Sequence, residues 1–228
     1  MSNDFLFPFI ETPTNVWGLN FKPSINSGFD ALDWSDKGMV NGTPVALSEK
    51  FGQITIEFSA KNKKVLLDVL TDLKTQGRLN SILEIGVFRS LEESSTRVIL
   101  NNKLPETKYL GIDLVENNLS NIRDHSKNTF GLCCDSSNYD IILGYAKNTC
   151  GVEQFDLVLI DGYHSINQVM DDWRFAKNLA SKGVVLMHDS NFHPGPYCVF
   201  EAIDETLFAK EKTCVDPIDW GLAKAVLR

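Results

Sequence analysis

The chain has 228 residues, 43% of them hydrophobic, and a net charge of -8. That length and apolar content allow one α/β domain with an N-terminal addition and exclude wholesale disorder. An acidic balance with no dense Lys/Arg cluster argues against nucleic acid or an anionic membrane as the partner. No apolar run approaches the ~20 residues of a membrane span, and the first residues lack the basic flank of a signal peptide. The five cysteines, Cys133, Cys134, Cys150, Cys198 and Cys214, are odd in number and form no Cys-x-x-Cys. Free thiols in a reducing cytoplasm are the expectation.

Residues 1–60 hold seven of the fourteen phenylalanines together with Trp17 and Trp34. Aromatics at that density do not stay solvated, so the segment is expected to be an ordered cap or lid on a domain spanning 61–228. Val45–Leu47 and Gln53–Phe58 flank a five-residue loop and predict a hairpin, a plausible contact in a homo-oligomer. From Asn62 to Gln76, apolar residues recur at helical spacing until Gly77.

Strand–helix alternation begins at 81–85, the strand Ser81-Ile82-Leu83-Glu84-Ile85, which breaks at Gly86 into a turn. A helix is expected around 91–103, a strand over 108–112 ending at Asp113, a short helix, and a strand over 129–134 ending at Asp135. Ser137 with Asp140 makes a capping-box pattern for the next helix. The strand 155–160 ends at Asp161, and Ser165 opens a helix whose apolar stripe runs to Ala180, with Gly183 as its stop. The strand 184–187 ends at His188-Asp189; a helix around 197–209 and a last strand over 221–227 close the chain. Continuous apolar strands alternating with helices predict a doubly wound, mostly parallel Rossmann-like sheet covered on both faces.

Four successive strands thus end in a carboxylate: Asp113, Asp135, Asp161 and Asp189. One aspartate after a strand is an ordinary helix cap, but four at the same topological place line the sheet edge where ligands bind. Glu84, alone in an apolar strand, points to a ligand or a loop N–H group. The glycine turn lets a ligand approach the backbone, and the following helix aims N–H groups into it.

The stretch Glu84-Ile85-Gly86-Val87-Phe88-Arg89-Ser90 resembles the cofactor loop of class I S-adenosylmethionine-dependent methyltransferases, with Ser90 where the last glycine usually stands. Asp161-Gly162-Tyr163-His164 and His188-Asp189 resemble signatures of a subfamily of sugar- and antibiotic-tailoring O-methyltransferases and cephalosporin-hydroxylase-like proteins. The resemblance covers residues 80–200. It implies a seven-stranded sheet and binding of S-adenosylmethionine by Glu84, Gly86, Ser90, Asp113, Asp135, Ser136 and Asp161. Within it, Asp113 takes the ribose hydroxyls, Asp135 lies near the adenine amino group, and a methyl group passes to an oxygen of a small molecule.

Paired carboxylates suit a hard cation such as Mg²⁺. Asp161 and Asp189 end strands expected to be neighbours; related metal-dependent enzymes carry an acid or amide directly after the second acid, where Ser190 stands here, so Asn191 is the candidate third ligand. Three of the four histidines, His164, His188 and His193, fall on the same edge. An imidazole is the usual proton acceptor for a hydroxyl, and His164, with Asp161 at the strand exit, is the candidate catalytic pair. His188 reads as structural. A metal-dependent hydrolase using these same groups, and a non-catalytic cofactor-binding module, remain the alternatives.

Overall fold

The computed structural model describes residues 37–40, 43–46, 58–87, 94–123, 125–191, 193–214 and 219–228. Strands β1 (Lys37–Val40) and β2 (Thr43–Ala46) pair antiparallel with each other. The hairpin expected over 45–58 lies largely outside the described residues, as does most of the 1–60 segment; its first strand is partly β2, whose partner is β1. Helix α1 (Ala60–Thr75) starts where the Ser59 hydroxyl accepts from Asn62 N at 3.2 Å.

The main sheet contains β3 (Ser81–Ile85), β4 (Lys108–Asp113), β5 (Thr129–Cys133), β6 (Phe155–Ile160), β7 (Leu179–His188), β8 (Phe208–Cys214) and β9 (Leu222–Leu227). Their order is β5-β4-β3-β6-β7-β9-β8. β9 pairs antiparallel with both β7 and β8, while the strands from β5 to β7 in that order are joined by parallel pairings. The helices between them are α2 (Ser95–Asn102), α3 (Glu116–Arg123), α4 (Tyr139–Tyr145), α5 (Ile166–Trp173) and α6 (Pro194–Ala202).

Strands β3 and β6 are buried along their whole length, as strands with helices on both faces must be. Alternate residues point to opposite faces. Ile82, Leu157, Leu159 and Leu186 pack with Leu66 and Leu70 of α1 and Ile99 of α2. Leu83, Val158, Ile160 and Met187 pack on the other face with Ile142, Met170, Trp173 and Val199. The chain leaves β3 toward β4 and β5, then returns to the other side of β3 as β6. That reversal opens a crevice beyond the carboxyl ends of β3 and β6.

Three boundaries differ from the sequence expectation. The helix after Ser165 ends at Trp173, passes through a 3₁₀ turn over Arg174–Asn178, and yields to β7 at Leu179. The strand absorbs a positive φ of 61° at Lys182, and its register against β6 shifts, so Leu179 and Ala180 face a sheet rather than a helix stripe. The last helix begins at Pro194 and stops at Ala202, and 208–214 is the edge strand β8. Its Lys-Glu-Lys-Thr run hid it, because charged residues are what an edge strand tolerates. Ser137 does not cap α4: the cap position is Asn138, and the Ser137 N–H instead donates to Asp135 Oδ1 at 2.9 Å.

Candidate functional site

The crevice holds a cleft of about 730 Å³. Its floor is the turn after β3. Gly86 has φ +81°, and a Cβ there would lie 2.1 Å from the backbone oxygen of Asp161. The turns after β3 and β6 therefore touch backbone to backbone, a contact only glycine permits. Gly86 N donates to Ile112 O at 2.9 Å, and Asp161 N to Ile85 O at 2.8 Å, which ties the ends of β3, β4 and β6 together.

On one side of this floor stand Asp113, Asp135 and Ser136. Asp113 accepts from Val87 N through Oδ2 at 3.1 Å and from Val115 N through Oδ1 at 2.7 Å, so it is held by both loops it separates. Beside it, Leu114 and Val115 line the cleft with apolar side chains 68% and 52% exposed, an unusual display for an otherwise well-buried core. Ser136 Oγ accepts from Gln168 Nε2 at 2.8 Å, and the same amide donates to Asp172 Oδ1 at 3.1 Å.

Asp172 is fully buried, and burial pushes its carboxyl up to about 7 against the opposing pull of hydrogen bonds from Ser136 and Gln168. Its folded value lies above the unfolded one. The neutral form is therefore favoured by folding, and that stability is lost as pH rises from the unfolded carboxylate range toward 7. Asp172→Asn, which keeps the shape without the charge, is expected to raise Tm at about pH 8 by roughly 5 °C and to converge with wild type near pH 4. Thermal melts across that range check the sign; a variant less stable at every pH contradicts it.

On the other side stand Asp161, His164, His188, Asp189 and His193. Asp189 adopts φ 57°, a left-handed conformation uncommon outside glycine but one that aspartate tolerates better than most residues, and it is buried. That turn sets its two oxygens between two imidazoles: Oδ1 is 3.3 Å from His188 Nδ1 and Oδ2 is 2.9 Å from His164 Nε2. The second contact is an ion-pair distance but lies out of line for a hydrogen bond. Burial works to raise the Asp189 carboxyl, but His188 and His164 outweigh it and hold the group well below the usual carboxylate range. His188 Nδ1 also bonds Asp161 Oδ1 at 3.0 Å, and its Nε2 faces Asn62 Nδ2 at 3.1 Å. His164 lies against His193 with ring centres 4.4 Å apart, and His193 stacks on Trp220 at 5.2 Å. Gly195 N donates to His164 O at 3.0 Å, and a Cβ on Gly195 would sit 2.3 Å from that oxygen, so the start of α6 fixes the His164 turn.

The fold thus brings Gly86, Asp113, Asp135, Ser136, Asp161, His164 and Asp189 to one cleft. Ser90 lies outside the described residues. Two expectations are corrected. Glu84 does not reach the cleft: it is fully buried on the α1–α2 face of β3 and accepts from Ser95 Oγ at 2.5 Å and from the Tyr109 hydroxyl. Burial pushes its carboxyl up to about 7. Strand alternation explains this, since Ile85 and Glu84 face opposite ways. Asn191 is turned from Asp161 and Asp189: its amide donates to Cys214 O at 3.1 Å and Asp219 O at 2.9 Å and packs on Gly221. His188, read from the sequence as structural, is the residue between the two acids; only its place beside Asp189 signalled it. Trp220, Phe58 and Asn62 reach the site from distant segments and carried no sequence signal.

A hard cation such as Mg²⁺ takes six oxygen ligands in near-octahedral array. Here the third group between the two acids is a nitrogen already hydrogen-bonded to Asp161, so the residues present do not fit that ion.

No protein-family model matches the chain, and no curated protein sequence matches it. Solved structures do. The O-methyltransferase TomG from Streptomyces achromogenes, in complex with SAM, superposes with a TM-score of 0.50 at 14% identity, over 100% of this chain and 99% of that one. The MycE methyltransferase from the mycinamycin biosynthetic pathway, in complex with Mg and SAH, gives 0.53 at 14% identity, over 80% of this chain and 54% of that one. The fold is that of the class I S-adenosylmethionine-dependent methyltransferases. The chain spans about half the length of MycE. Within this methyltransferase fold, the cleft described above occupies the topological switch point.

Proposed function

We propose that the protein transfers the methyl group of S-adenosylmethionine to an oxygen of a small-molecule acceptor. The observation that carries this reading is the division of one switch-point cleft into two chemically different halves around the Gly86 turn. The Asp113 half offers a carboxylate for a vicinal diol, flanked by exposed apolar Leu114 and Val115 on which a purine can lie. Asp135 and Ser136 supply acceptors at its far end, and the Gln168–Asp172 pair holds Ser136 in place.

The other half performs the proton chemistry. When bound, S-adenosylmethionine supplies an already reactive sulfonium methyl. The protein's part is to align the acceptor oxygen with it and exclude water. His164 takes the acceptor hydroxyl's proton through Nδ1, the ring nitrogen that does not face Asp189, while Asp189 Oδ2, 2.9 Å from Nε2, stabilises the imidazolium that results. Phe58, His193 and Trp220 wall this half with rings and limit water. Residues 1–60 act as its cap. No helix among the described residues is long and apolar enough to cross a membrane. With five free thiols and a net charge of -8, we place the protein in the reducing cytoplasm, acting on small molecules rather than nucleic acid.

The test is transfer of isotope-labelled methyl from S-adenosylmethionine to a panel of phenolic, catecholic and saccharide hydroxyls. Label is expected in an ether-linked, base-stable product. Label found only on nitrogen acceptors, or phosphate ester hydrolysis in its place, contradicts the reading.

A further inference from the structure

We infer that the imidazole of His188 fills the place between Asp161 and Asp189 that a divalent ion would take, so that the cleft works without a metal. The inference rests on the methyl-transfer reading of the cleft.

The geometry is that of an internal clamp. Asp161 and Asp189 leave the ends of adjacent strands β6 and β7, and one nitrogen, His188 Nδ1, reaches both: 3.0 Å to Asp161 Oδ1 and 3.3 Å to Asp189 Oδ1. The ring cannot readily swing aside. It is 3% exposed, packs against Phe58 with centres 5.2 Å apart, and meets Asn62 of α1 through Nε2. Asn62 is itself fully buried.

The pairing with Asn62 decides where the ring's proton sits. An amide N–H donating to Nε2 makes that atom the acceptor, so the proton is on Nδ1 and points at the two carboxylates. In the charged ring, both nitrogens donate. The Asn62 amide oxygen, which has no hydrogen-bond partner among the described residues, then meets Nε2–H after rotation of the amide. In either form Nδ1 presents a hydrogen to the acids rather than the lone pair a metal requires.

Among the described residues, no third carboxylate joins these two acids. Asn191 spends its amide on the carbonyls of Cys214 and Asp219, and Ser190 is fully buried. A buried carboxylate, Asp189, beside a half-buried one, Asp161, is costly without compensation. A hydrogen-bonded imidazole supplied by the same chain compensates them permanently and needs no ion from solution. The second cluster of nitrogen and oxygen donors, His164, Asp189 and His193, shares Asp189 and sets two imidazoles against each other at a tilt of 35°.

The test uses the full chain after chelator treatment and titrates it with Mn²⁺ and with Zn²⁺, reading bound metal by paramagnetic resonance and by equilibrium dialysis. Wild type is expected to hold less than one tenth equivalent of either ion at millimolar concentration. S-adenosylhomocysteine affinity is expected to agree within about twofold with and without Mg²⁺. His188→Ala and His188→Asn, which leave the two acids facing each other, are expected to gain stoichiometric Mn²⁺ binding. Stoichiometric metal on wild type that is lost in Asp161→Asn or His193→Ala overturns the inference. Failure of both folded His188 variants to gain Mn²⁺ also overturns it. Should S-adenosylhomocysteine fail to bind under any condition, the methyl-transfer reading falls, while the wild-type Mn²⁺ titration still decides the role of His188.

Discussion

Gly86→Ala is expected to lower S-adenosylhomocysteine affinity by at least ~10²-fold and to cost the fold about 2–3 kcal/mol. Two effects add. An L-residue at φ +81° is strained by about 1–2 kcal/mol. The new Cβ would then lie 2.1 Å from Asp161 O, a backbone atom that cannot rotate away. The β6 turn must retreat, carrying Asp161 and Gly162 with it and separating the floor on which both halves of the cleft rest. For a chain of this length the stability loss corresponds to a Tm decrease of roughly 5–10 °C. Calorimetric titration and a thermal melt of the same sample check both parts. Wild-type affinity in the alanine variant would mean that the turn is not where the cofactor lies.

His164→Gln is expected to lower kcat by about 10²–10⁴-fold, the range for loss of a general base. S-adenosylhomocysteine affinity should stay within about threefold of wild type, because His164 sits on the acceptor side of the Gly86 turn. The split between rate and affinity is what distinguishes proton transfer from a packing role. His164 does pack: its ring lies tilted against His193 and its carbonyl accepts from Gly195 N, so a merely structural defect would lower Tm and cofactor affinity together. Single-turnover methyl transfer, cofactor titration and melting temperature on one preparation separate the outcomes.

The architecture was legible because a parallel sheet imposes strong sequence marks. Strands such as 81–85 and 155–160 are buried throughout and mostly apolar, since both faces are covered, and four of the strands end in an acid at the same edge. β8 escaped because a charged edge strand has no such mark, and the start of β7 escaped because Leu179 and Ala180 continue a helical spacing into a strand. Which residues share the cleft followed from topology alone, but not which way they face. Glu84 and Ile85 are neighbours in sequence and point to opposite sides of the sheet, and Asn191 is two residues beyond Asp189 yet bonds toward β8. The clamp around His188 joins Asn62 to Asp161 and Asp189 across a separation of about half the chain, and no local pattern encodes such a meeting. Burial also reassigns roles: two carboxyls that a sequence reader counts as charged, Glu84 and Asp172, are each pushed up to about 7 by their surroundings.

The most direct measurement is isothermal titration of the wild-type chain and Asp113→Ala with S-adenosylhomocysteine. One molecule per chain at micromolar affinity is expected, weakened by about 10²-fold in the variant, which loses a charged acceptor and the anchor of the Val87 and Val115 amides. No heat at millimolar ligand, or equal binding by the two proteins, would contradict the assignment of this cleft to the cofactor.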